Sequence, residues 1–440
     1  NSDWRVLKME EKMERLSKVY EQYCDVLKEE LIPAMGCTEP IAIAYATAKA
    51  VEVLGKKPEK ISLSLSGNII KNVKSVVVPN SDKMTGIAVS AAMGAFAGDA
   101  SKELMVISTV TDEQLSEVKR FLATQSIHIQ NSKNNLKLYI KVKVSNGDDI
   151  VSVEMKHSHT NITEIIKNDE VIHKSLTDAV MPEDAAKMLT IQLIYDVAKA
   201  IDTNLVKDLL EAVIMCNTAI SQEGMVHDYG VNVGRNIKQS IENGFYGDDV
   251  RNKSASAAAA ASDARMGGSA MPVMTTAGSG NVGLTASLPV ITYARERNKT
   301  NEELYRGLLF SLLASVHIKA SIGRLSAYCG PMCAAGAVAG AIGFMNGFDY
   351  TTVANAVINT LAGVSGVLCD GANSSCAVKI ANGTYAAYDG IAMAANGNVV
   401  TSGDGIVAGD VEQTIRNIGE LAQKGMQETD EVILDIMTRD

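Results

Sequence analysis

The 440 residues hold 41 Lys and Arg against 51 Asp and Glu, a formal charge of -10, and 46% of them are hydrophobic. That length suits two or three domains with ordinary cores, and the negative balance, without any Lys/Arg run, excludes a nucleic-acid backbone as partner. The 7 cysteines are an odd number in a long chain without a charged-then-apolar leader pattern, so a secreted disulfide framework is not expected and a reducing cytoplasm is.

In chain order, Met13, Leu16, Tyr20, Tyr23, Leu27 and Leu31 recur at spacings of three and four, the face of a helix that Pro33 ends. Thr38 is expected to cap a second helix through Pro40 and IAIAYATAKA. From about Lys57 the period becomes two: Ile61, Leu63 and Leu65, then VKSVVV, LMVIS, LKLYIKVKV and IVSVEM read as strands, with helical patterns near 85–97 and 112–123. Pro182, Glu183 and Asp184 open a further helix, and the remainder is helical with Gly-rich connections. The expected fold is α+β: N-terminal helices (1–56) joining a large helical catalytic domain (181–440), with an α/β domain (57–180) inserted between them. Leu325–Met345 and Val353–Cys369 carry no charge, but their Gly, Ala, Ser, Asn and Cys content suits closely packed interior helices better than membrane spans.

Cys329, Cys333, Cys369 and Cys376 fall within 48 residues, a thiol cluster that calls for a ligand hypothesis in a reducing compartment. The spacings match no zinc knuckle, whereas an iron-sulfur cluster tolerates dispersed ligands; small buried core residues are the alternative. GSGNVG at 278–283 lacks a βαβ setting, and the better use of Ser279, Gly280 and Asn281 is a nest of N–H groups for a small carboxylate. Arg265 in SDARMGG could pair with such a carboxylate, and Asn68, Lys71 and Asn72 in SGNIIKN could donate to it. His157 and His159 in HSHTN suit a polar contact to substrate or a structural role better than a metal.

Together PAMGCTEP, HTNI, SQEG, ASDARMGG, GSGN, RLSAYC, CDGANSSC and GIVAGDVEQ resemble the L-cysteine desulfidase family, which is related to iron-sulfur L-serine dehydratases. The resemblance runs from about Leu27 onward. It implies a lyase that degrades L-cysteine to pyruvate, ammonia and sulfide with a [4Fe-4S] cluster, one iron of which is open to substrate. By position it implies Cys329, Cys369 and Cys376 as cluster ligands and Cys37 as catalytic base. Cys333 falls outside that pattern, and Cys24 and Cys216 are read as structural. The substrate would meet Asn68, Lys71, His159, Asn161, Arg265, Ser279, Gly280 and Asn281.

Elimination needs a base for the weakly acidic Cα proton, and a thiol just ahead of a helix N-terminus is expected to be biased toward thiolate. The rival readings are an iron-sulfur L-serine dehydratase, a pyridoxal-phosphate enzyme, and a cysteine or metal sensor without turnover. The expected partner is a small amino acid, with no nucleic acid and no membrane, and a homo-oligomer is left open.

Overall fold

A computed structural model of the chain describes residues 18–175, 189–323 and 325–439. Met13, Leu16 and the helix start at Pro182–Asp184 lie outside those residues. The fold is α+β, mainly helical, with one mixed six-stranded sheet and a separate two-stranded ladder among the described residues.

The first described helix, α1 (18–30), buries Tyr23 and Leu27 in the helical core. The chain then forms β1 (Pro33–Met35), which pairs antiparallel with the distant β8 (Pro272–Met274). Gly36 follows at φ +63°, where a Cβ would stand 2.4 Å from Pro79 Cγ, so the position requires glycine. Helix α2 (Thr38–Leu54) begins one residue earlier than a Thr38 cap would place it. Cys37 is the N-cap residue, extended at φ -73° and ψ 136°, and makes no side-chain cap bond.

Helix α2 was expected to join the helical domain, but its Ile41, Ile43 and Ala44 enter the core of the sheet. The cause is its apolar Ala/Ile surface, which fits the buried face offered by alternating Ile61, Leu63 and Leu65 on β2 (Lys60–Leu65) and Ile140, Val142 and Val144 on the fourth strand. The sheet comprises β2, β3 (Ile127–Asn131), β4 (Tyr139–Asn146), β5 (Asp149–Lys156), β6 (Ile162–Lys167) and β7 (Glu170–Lys174), in the order β3-β2-β4-β5-β6-β7. Within it only β2 and β3 run parallel. Helices α3 (Gly67–Val73), α4 (Ile87–Ala97) and α5 (Asp112–Ala123) accompany it.

Two expected strands are absent from the described residues. VKSVVV continues the end of α3 into turns, and LMVIS overlaps a 3-10 segment, Ala100–Met105. Both are apolar runs because Val76, Val78, Val106 and Ile107 are buried on irregular backbone, and a short apolar run does not by itself distinguish strand from buried turn.

Beyond residue 188 the described chain is helical: α6 (Ile191–Ala200), α7 (Lys207–Val226), α8 (Val233–Glu242), α9 (Val250–Met266), α10 (Gly280–Glu296), α11 (Asn301–Ile322), α12 (Gly330–Met345), α13 (Tyr350–Val364), α14 (Ser375–Ala395), α15 (Val411–Glu420) and α16 (Gln427–Thr438). Helix α12 is buried nearly all round. Its glycines permit close contact, as where a Cβ on Gly340 would lie 2.6 Å from Phe310. Among the described residues no helix is long and apolar enough to cross a membrane.

Candidate active site

A cavity of about 100 Å³ opens where the sheet region meets the helices, and Cys37, His159, Arg265, Ser279, Asn281, Cys329, Cys369 and Cys376 all line it. Backbone pairing assembles the thiol wall. Tyr328 and Leu368 form an antiparallel bridge, the Cys329 N–H donates to Val367 O at 3.1 Å, and the Cys369 N–H donates to Ala327 O at 2.7 Å. Cys329 is the N-cap residue of α12 and Cys376 lies in the first turn of α14, its Sγ donating to Gly371 O at 3.5 Å. Burial pushes the Cys329 thiol well above its usual range, and Cys369 and Cys376 add to the shift against Lys379; burial raises Cys376 as well.

Thiols that share one cavity form a donor set suited to a positively charged group, whose binding would draw off their protons. No three His, Cys, Asp or Glu among the described residues are grouped to hold a single metal ion. All seven cysteines are free. Cys329, Cys369 and Cys376 all line the cavity, and soft thiolates are the ligand type that iron-sulfur clusters use. Cys333, one turn beyond Cys329, does not line the cavity and is pushed up to about 12 by burial. Cys24 lies in the helical core and Cys216 packs against it.

In the same cavity, the Cys37 thiol donates to Glu39 Oε2 at 3.0 Å, and His159 Nε2 stands 3.4 Å from Glu39 Oε1. Burial raises Cys37 well above the ordinary thiol range, the Glu39 charge adds to it, and nearby Arg265 only partly opposes it. The helix start therefore does not make Cys37 a resting thiolate: a full charge at hydrogen-bond distance outweighs the half-charge of a helix terminus. Burial alone would raise Glu39, but the hydrogen bond and charge of His159, with the bond from Cys37, bring it down to about 2.

Arg265 is 3% exposed. Its Nε donates to Gly36 O at 3.0 Å, and among the described residues it forms no ion pair with a carboxylate. A Cβ on Gly280 would fall 2.3 Å from Arg265 Nε, so this glycine lets the side chain lie against the start of α10. Ser279 caps that helix, accepting from the Val282 N–H at 3.3 Å, and Asn281 Oδ1 accepts from Ser262 at 3.2 Å.

Four of the expected substrate contacts do not line the cavity: Gly280 lies between Ser279 and Asn281 against Arg265, and the other three lie elsewhere. Asn68 and Lys71 line a second cleft, of about 380 Å³, and the Lys71 ammonium is taken by Asp430 at 2.6 Å. Asn161 Nδ2 donates to Lys156 O at 2.9 Å and holds the turn that presents His159. His157 and His159 sit in that turn rather than on a strand, so they do not share a face; His159 alone enters the cavity. Asn72, one residue past Lys71, does line it. Glu39, Lys319 and Tyr328 line it without having been singled out, although Glu39 is part of GCTEP itself.

The family described as serine dehydratase alpha chain matches residues 101–435. The chain belongs to the serine dehydratase alpha chain family. This is an iron-sulfur dehydratase family of lyase type. A UPF0597 protein of Fusobacterium nucleatum is 52% identical over 98% of this chain and 100% of its own length. Relatives with the same family label in Desulfitobacterium hafniense and Bacteroides thetaiotaomicron are 44% and 39% identical, covering 97% and 95% of this chain and 98% and 97% of their own lengths. The serine dehydratase alpha chain match includes His159, Arg265 and the three thiols, while Cys37 and Glu39 precede it.

Proposed function

We propose that this chain eliminates the sulfur of L-cysteine, giving hydrogen sulfide, pyruvate and ammonia, with a [4Fe-4S] cluster on Cys329, Cys369 and Cys376 and one iron left open. The observation that carries the reading is a buried Arg265 guanidinium without a carboxylate partner among the described residues, in the cavity that Cys37 and the three thiols share. When bound, the cluster supplies a Lewis acid for the departing sulfur.

The chain's own residues supply the rest. Arg265 grips the substrate carboxylate, with the Ser279–Asn281 turn beside it, and so fixes where Cα lies. Cys37 takes the Cα proton once its own thiol proton has left to solvent, while Glu39, held as a carboxylate by His159, orients Sγ through the Cys37 hydrogen bond. His159, across the same carboxylate, supports the charge balance of Glu39. A thiol raised by burial is a stronger base once ionised, which suits a weakly acidic C–H. As the Cα–H electron pair forms the Cα=Cβ bond, the Cβ–S bond breaks and HS⁻ leaves. The resulting aminoacrylate adds water after tautomerising and yields pyruvate and ammonia. Reduced thiols throughout this scheme favour a cytoplasmic setting.

A second reading, loss of water from L-serine in the same cavity, is favoured by the description of the matching family. Protein purified without air decides between them: sulfide release from L-cysteine exceeding pyruvate release from L-serine supports the first, and the reverse supports the second. Protein that binds iron and sulfide but turns over neither amino acid overturns both.

A further inference from the structure

The side chain of Lys71 is 2% exposed, and a buried ammonium is unfavourable unless it is paired and hydrogen-bonded. Two partners meet that need: Asp430 Oδ1 at 2.6 Å and the backbone carbonyl of Cys369 at 3.1 Å. The next turn presses on the same lysine. Gly371, at φ +98°, approaches so closely that a Cβ there would lie 2.5 Å from the Lys71 carbonyl oxygen. Because the Cys369 N–H is held by Ala327 O at 2.7 Å, both backbone groups of this cysteine are fixed, one by the strand segment carrying Cys329 and one by Lys71.

Asp430 comes from α16, none of whose residues is buried. Its other carboxylate oxygen stands 3.6 Å from Lys137. The helix rests on α3, where a Cβ on Gly67 would lie 2.8 Å from Leu434. Its charge-paired link to the cavity wall runs through Asp430 and Lys71 to the Cys369 carbonyl.

We infer that Lys71 and Asp430 are a positioning pair that holds Cys369 in ligating position, so that the last helix governs how firmly the cluster is retained. The inference rests on the reading of Cys369 as a cluster ligand. Neither residue touches substrate; the pair acts by fixing a ligand's backbone, as outer partners of metal ligands do.

The test uses the full chain, purified without air, as wild type, Asp430→Asn, Asp430→Glu, Lys71→Met and Cys369→Ser. Iron and acid-labile sulfide per chain, the decay of the visible cluster absorption in air, and thermal unfolding by circular dichroism are measured on each. Asp430→Asn leaves the buried ammonium without its counter-charge and is expected to unfold at a lower temperature and, well below that temperature, to lose its absorption about tenfold faster, with Asp430→Glu restoring most of the lifetime. Lys71→Met, which removes both the charge and its need for a partner, is expected to show the same faster decay. Wild-type decay in both Asp430→Asn and Lys71→Met overturns the pair. A wild type without iron and sulfide, or a Cys369→Ser that holds them as well as wild type does, overturns the cluster reading instead.

Discussion

The two walls of the cavity hold their cysteines by different means. Cys329 and Cys369 are placed by backbone hydrogen bonds between 327–329 and 367–369, which leave their sulfurs uncommitted. Cys37 is placed by its sulfur: the thiol is spent on Glu39 Oε2. Burial alone therefore does not assign a cysteine its task. The thiols at 37, 329 and 376 are all pushed up by desolvation, and it is the neighbouring groups that differ. Beside Cys329 the neighbours are other thiols; beside Cys37 it is a carboxylate.

Breaking the thiol wall should have the largest effect. Cys329→Ser is expected to abolish both turnover and most bound iron, measured by metal analysis on protein prepared without air, because a hydroxyl is a poor replacement for a soft thiolate ligand. Breaking the Cys37 wall should separate the two properties. Cys37→Ser is expected to keep wild-type iron and sulfide content while slowing elimination by about 10²- to 10⁴-fold, the usual contribution of a positioned base. Full turnover in that variant removes Cys37 from the mechanism.

Between the walls, Arg265→Lys should raise KM by about tenfold or more with a smaller change in kcat, since a point charge does not reproduce a forked guanidinium on a carboxylate. Steady-state kinetics on the loaded enzyme read this directly. Glu39→Gln probes the Cys37 wall through pH. Removing the negative charge beside Cys37 lowers that thiol, so alkylation of Cys37 in the cluster-free chain should reach its plateau at lower pH than in wild type. The same substitution changes acid stability in a defined direction. Glu39 is depressed from 4.5 to about 2, so its contribution is complete above pH 4.5 and is lost as pH falls toward 2. Unfolding midpoints measured over that window should fall less steeply in Glu39→Gln. The smallest effect belongs to Asn161→Ala: the loss of one turn hydrogen bond should cost about 1 kcal/mol in stability, with activity within about twofold of wild type.

How much of this was legible in the sequence depends on how local the cause is. The alternation in Ile61–Leu65, LKLYIKVKV and IVSVEM marks three strands because their faces differ. VKSVVV fails the same rule because its valines are buried on turns. In the site, short motifs bring Cys37, His159, Arg265, Ser279, Asn281 and the three later thiols to one cavity. The expectation of a resting Cys37 thiolate fails because it considered the helix start and not the carboxylate two residues on. Lys71 could not be assigned from its surroundings in the sequence at all, since its partner lies 359 residues away.

Those long separations also bear on the order in which the chain is made. Gly36 O waits for Arg265, 229 residues later, and Lys71 waits for Asp430 near the last residues described. A chain emerging from the ribosome N-terminus first therefore exposes GCTEP long before any wall of its pocket exists, and contacts of such range close slowly. The cavity is complete only after residue 376 has been made, and a translation product that stops before it lacks part of the lining.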